Sequence, residues 1–188
     1  MTLYSLILFL HVAAALALFA SLSFELLSLS HLRRASEQSE VRRWIDPVPR
    51  LPLVAMASIL VVFFSGIFLT VRMSAFDTAW PKVTIGALLL IAPLGAVTGK
   101  RMRVIRRNSA ESSTMKPELL RRVQDPFLKI SLGIRIAVFF GIVLLMTAKP
   151  ELWPSIGIVA GSVVLGLLLS LLRWGWSEPL SVRREFEG

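Results

Sequence analysis

The chain has 188 residues, of which 55% are apolar and only 18% charged, and its mean hydropathy of +0.70 lies outside the soluble globular range, which leaves a polytopic membrane protein. A formal net charge of +9 would suggest nucleic acid as the partner of a soluble domain, but here the basic residues fall between apolar runs and read as a topology signal, with no nucleic acid implied. The chain has no cysteine, which excludes disulfides, thiolate metal sites and cysteine nucleophiles.

Residues 3–29 are almost wholly apolar, interrupted by a few serines, His11 and Glu25, and are long enough to cross a hydrocarbon core of about 30 Å. No basic stretch precedes this run and Arg33 and Arg34 follow it directly, so it reads as a retained first span. A polar connection over 31–50 ends in Pro47, Pro49 and Pro52, and 51–71 is the second span. Residues 72–82, with Asp77, Trp80 and Pro81, form a short connection before a third span over 83–98 that Pro93 is expected to kink. Residues 100–129 are the longest polar segment, with a short surface helix predicted over 115–123. The fourth span is 130–147, a tight turn covers 148–154, and the fifth span is 155–172, followed by a polar tail. The expected fold is a single all-α transmembrane domain of five helices.

Basic residues sort sharply by side. Arg33, Arg34, Arg42, Arg43 and Arg50 follow span one, nine more lie between Lys100 and Lys129, and Arg173, Arg183 and Arg184 lie in the tail; the other side has only Arg72, Lys82 and Lys149. The positive-inside rule then places the N-terminus outside and the C-terminus in the cytosol of a cytoplasmic (inner) membrane, with anionic lipids as partners of the basic loops. An internal repeat accompanies this pattern. Asp46-Pro47, Phe63-Phe64-Ser65-Gly66 and Trp80-Pro81 are echoed by Asp125-Pro126, Phe139-Phe140-Gly141 and Trp153-Pro154, which suggests one leading helix followed by two parallel-repeat hairpins.

Few residues are placed to carry chemistry. His11 and Glu25 are fourteen residues apart, so on one helix they point within about 40° of the same direction. His11 suits a haem or copper ligand, a proton relay, or a packing residue that hydrogen-bonds a neighbouring serine or carbonyl. His31 lies about 30 Å farther along a continuous helix, so the two histidines cannot share one haem within a chain. Met56, Met73 and Met146 are scattered. Glu25 and Arg135 lie at similar depth and are candidates for an intramembrane ion pair, either as a clasp or as part of a proton or ion pathway. Arg135 has the alternative of snorkelling to the headgroups. Gly95 and Gly99, Gly157 and Gly161, and Ser162 and Gly166 are small-residue pairs for helix packing, within the chain or between copies in a homo-oligomer. Trp44, Trp80, Trp153, Trp174 and Trp176 fall at span ends and read as interfacial anchors. No nucleotide-binding, nucleophile-elbow or metalloprotease motif occurs, so the sequence makes no case for an enzyme.

The outer half of span one with Leu10-His11-Val12-Ala13-Ala14, the Arg-rich cytosolic loops, the mid-span Phe-Phe-(Ser)-Gly and Trp80-Pro81-Lys82 at the outer turn together resemble small bacterial integral-membrane proteins around the copper-resistance protein D family. The resemblance implies a role in copper or haem handling, with His11 as candidate ligand and Trp80 and Lys82 at the outer turn. Two other functions stand beside it: a non-catalytic membrane subunit or scaffold packing against a partner, and a small transporter acting as an oligomer.

Overall fold

The computed structural model describes residues 2–32, 51–110 and 125–172. Over these residues the chain forms α1 (Leu3–Leu32), α2 (Leu51–Arg72), a 3-10 turn (Ala75–Asp77), α3 (Ala79–Ala110), α4 (Pro126–Ala148) and α5 (Leu152–Leu172). Each of the five α-helices contains an apolar stretch long enough to cross a membrane, giving an all-α fold of the polytopic membrane type. The surface helix predicted over 115–123 and the anchors Trp44, Trp174 and Trp176 lie outside the described residues.

Helices outrun the apolar spans that mark them. The largest correction is to the third span and the connection after it: α3 begins at Ala79, passes through Pro93 without ending, and continues to Ala110. Hydropathy reports where lipid ends, whereas lysine and arginine are good helix formers and let the backbone continue into water. At 1.5 Å per residue α3 is about 48 Å long, well beyond a hydrocarbon core of about 30 Å. Pro81, in its first turn, occupies a position where no intrahelical N–H is needed. Similarly, α4 starts at Pro126, ahead of the expected 130, because Asp125 caps it by accepting the Phe127 N–H at 2.9 Å. Its C-terminus is closed by Lys149 in the left-handed conformation (φ 49°), whose N–H bonds the Leu145 carbonyl at 2.9 Å, and Pro150 then prevents continuation.

Neighbouring helices run in alternating directions. His11 meets Ser65, so the start of α1 lies beside the end of α2; Thr98 meets Ser131, so the end of α3 lies beside the start of α4. Gly133 faces Gly166 and Ser170, so the start of α4 lies beside the end of α5. The closest pairs are α1 with α2 and α4 with α5, and α4 also touches α1 and α3. By contrast α2 and α3, the first expected hairpin, meet only lightly. The two hairpins of the expected repeat therefore pack unalike.

Burial recurs in steps of three, four and, once each on α1 and α3, seven residues. On α1 it falls at His11, Ala14, Leu18, Ser21, Ser28 and Leu32; on α2 at Ala55, Ser58, Val62, Ser65 and Leu69; on α3 at Thr84, Leu88, Ile91, Thr98, Met102 and Ile105; on α4 at Leu128, Ser131, Arg135, Val138, Ile142 and Leu145. Steps of three and four that sum to seven are the heptad-like pattern expected of left-handed, shallow-angle helix packing. In lipid there is no hydrophobic drive between helices, so the seams must hold by close contact and hydrogen bonds. Accordingly, serine, threonine, histidine and arginine occupy seam positions that leucine would take in a soluble bundle.

Candidate functional site

His11 sits two turns inside the N-terminal end of α1, where Ser65 arrives at matching depth from the C-terminal end of α2. The imidazole Nδ1 lies 2.9 Å from Ser65 Oγ, and His11 is 8% exposed. The absence of a side chain at Gly66 admits the ring: a Cβ there would stand 3.3 Å from His11 Cε1. Ser65 Oγ also hydrogen-bonds the Val61 carbonyl one turn back and lies 3.3 Å from that of Val62. Both carbonyls can only accept, so the serine proton goes to the backbone and the serine lone pair receives the imidazole Nδ1–H. This assigns the tautomer and leaves the lone pair on Nε2.

The second polar contact joins α1 to α4. Arg135 Nη1 donates to both carboxylate oxygens of Glu25, each at 3.0 Å. The Arg135 side chain is almost fully buried and that of Glu25 mostly so. A third helix completes the setting: a Cβ at Gly95 of α3 would meet the guanidinium of Arg135 at 3.4 Å, so the glycine lets the backbone pass close to the flat face of the cation. One turn toward the same end of the bundle, Thr98 and Ser131 bridge α3 and α4 at 2.9 Å, while Ser28 Oγ on α1 is buried without a hydrogen-bond partner.

The remaining sequence candidates divide. Gly99 packs against Pro52, with a Cβ position 3.4 Å from the Pro52 Cβ. Gly166 lies directly on the α4 backbone, where a Cβ would come within 2.7 Å of Ile134 Cα. A Cβ at Gly157 or Gly161 would meet nothing within 4 Å among the described residues. Trp80 is half-buried in the first turn of α3, Lys82 two residues on is exposed, and Trp153 projects from α5.

Two contact residues, Gly133 and Ser170, carry no sequence motif. Gly133 on α4 faces Ser170 on α5, and Gly141 of the repeated motif faces Ser162, a spacing of eight residues on both helices. Ser65 and Gly66 stand out in the sequence only as part of the repeated Phe-Phe motif; the signal that links them to His11 is equal depth. In the second repeat unit the motif does different work, since Phe139 stacks on Phe19 of α1 at 5.7 Å between centroids.

The described residues bring no cluster of metal-ligating side chains to His11: no group of three or more histidine, cysteine, aspartate or glutamate side chains converges among them, and both histidines lie on α1. His11 alone offers one nitrogen. The groove at this level, about 380 Å³, is lined by α1 and α2 through Ile7, Leu10, Leu60, Val61, Phe64, Ser65 and Phe68. Its lining comes from α1 and α2 alone and does not include His11. No protein family, curated protein or solved structure matches the chain.

Proposed function

We propose that the protein is a non-catalytic subunit or scaffold of the cytoplasmic membrane, oriented N-out and C-in, in which His11 and the Glu25–Arg135 pair are clasps between helices. The observation that carries this reading is that each buried ionisable side chain of the spans already has a partner on another helix: His11 on α2, and Glu25 and Arg135 on each other. A charge left alone in lipid is costly, and a pair at one depth removes that cost while fixing the helix register. The basic segments on the cytosolic side contact anionic headgroups, and the open glycine face of α5, with Gly157 and Gly161, meets a membrane partner or a second copy.

A second reading has its own support. Histidines that ligate metals almost always donate their other ring N–H to a fixed acceptor, which is the arrangement His11 has with Ser65. Its Nε2 lone pair suits axial ligation of haem or one position on copper, in line with the resemblance to the copper-resistance protein D family, and the missing ligands would then come from a second chain.

Absorption spectra and metal analysis of detergent-purified protein, before and after exposure to copper and to haem, separate the two. The scaffold reading expects substoichiometric metal and no Soret band in wild type. Stoichiometric haem or copper in wild type that is lost in His11→Ala would replace it with the ligand reading.

A further inference from the structure

We infer that the groove between α1 and α2 is a specific site for one anionic phospholipid of the leaflet that holds the α1 N-terminus, with its acyl chain along the groove and its phosphate on Arg72. This goes beyond the scaffold reading and stands without it.

The groove is shallow and open: its α2 side runs from Leu60 to Phe68, a rise of roughly 12 Å against the roughly 15 Å of one hydrocarbon leaflet, while α1 borders it only at Ile7 and Leu10. The walls are apolar, and the one polar residue among them, Ser65, has its hydroxyl engaged by His11 and the α2 backbone. A headgroup therefore gains nothing inside the groove. Only hydrocarbon suits it.

Arg72 supplies the complementary charge at the mouth. It lies one turn beyond Phe68, and its Cζ is 5.5 Å from the centre of that groove-lining ring. Stacking on an aromatic face leaves the guanidinium N–H groups free in their own plane, the geometry for two-pronged hydrogen bonding to a phosphate. Arg72 is exposed, and among the described residues no carboxylate pairs with it. Its depth is also that of a headgroup, because α2 ends there, Tyr4 is exposed at the adjacent start of α1 and Trp80 sits at the start of α3, both residue types favouring the interface. Neutral lipid would satisfy the groove but not Arg72; a free phosphate would satisfy Arg72 but not the groove.

The test is photo-crosslinking in phosphatidylcholine vesicles that contain the full-length protein and a trace of phospholipid with a diazirine in its acyl chain, followed by peptide mapping. Phosphatidylglycerol as the probe should label α2 between Leu60 and Phe68 more than a phosphatidylcholine probe of the same chains does. Arg72→Gln should lower that labelling about fivefold, the worth of one basic residue near the surface, with labelling of α5 unchanged. Leu60→Trp, which fills the groove, should abolish it for both probes while Arg72 is intact. Equal labelling of the segment by the two headgroups, or labelling that survives Arg72→Gln and Leu60→Trp undiminished, would overturn the proposal and leave an ordinary lipid-facing surface.

Discussion

At the scale of single residues, the structure turns on a few side chains that each answer one other. Ser65 is the clearest case, because its hydroxyl both receives His11 and returns a proton to its own helix. Ser65→Ala should cost about 0.6 kcal/mol and at most about 1.7 kcal/mol, the average and the maximum measured for hydrogen bonds between membrane helices, read as a lower denaturant midpoint in detergent. Ser65→Thr, which keeps the hydroxyl, should recover most of it. Loss of stability in Ser65→Thr as large as in Ser65→Ala would show that the hydroxyl is irrelevant and only the small volume matters. Depth counting along the sequence makes Glu25 and Arg135 neighbours, and the structure brings them within hydrogen-bonding distance. Equal depth also links Ser65 to His11, but depth does not single it out, because a serine in a span can satisfy its hydroxyl on its own helix, as Ser65 does on the Val61 carbonyl, and so demands no partner elsewhere.

At the scale of elements, glycine separates contact from exposure. Gly157 and Gly166 look alike in sequence, each in a small-xxx-small pair of the same helix, yet a Cβ at Gly166 would collide with the α4 backbone and one at Gly157 would meet nothing among the described residues. Gly166→Leu is accordingly expected to destabilise the α4–α5 pair by about 1 to 3 kcal/mol, the usual cost of overpacking, while Gly157→Leu leaves monomer unfolding unchanged. Unfolding curves of the two variants in the same detergent check this, and equal destabilisation would contradict it. Helix existence is legible in the sequence because five apolar runs have no other reading. Helix length is not: α3 continues from Thr98 to Ala110 through a strongly basic segment, where hydropathy falls but helix propensity does not.

At the scale of the whole molecule, the alternation of the five helices puts the ends with Leu3, Arg72, Ala79, Ala148 and Leu152 together. Alternation alone gives no direction across the membrane; that comes from the basic residues, most of which lie in segments beyond the other end. The chain has no cysteine, so single substitutions such as Thr78→Cys and Ser113→Cys report orientation without background. A membrane-impermeant thiol reagent applied to whole cells should label the first and spare the second, and the reverse pattern would invert the topology. The proposed α1–α2 lipid site belongs to this scale too, since it was invisible in sequence: Ile7, Leu10, Leu60 and Phe64 are indistinguishable from other lipid-facing residues until two helices lie together.

Whether buried polar groups join the helices is read out by a double-mutant cycle on Glu25 and Arg135. Reversible unfolding in mixed micelles would be compared for wild type, Glu25→Gln, Arg135→Met and the double variant. Removing one member of a buried pair strands the other and is expected to cost about 3 to 5 kcal/mol, whereas removing both is expected to cost far less than the sum. Additive losses from the two single substitutions would mean that the side chains do not act as a pair, and the clasp would have to be abandoned.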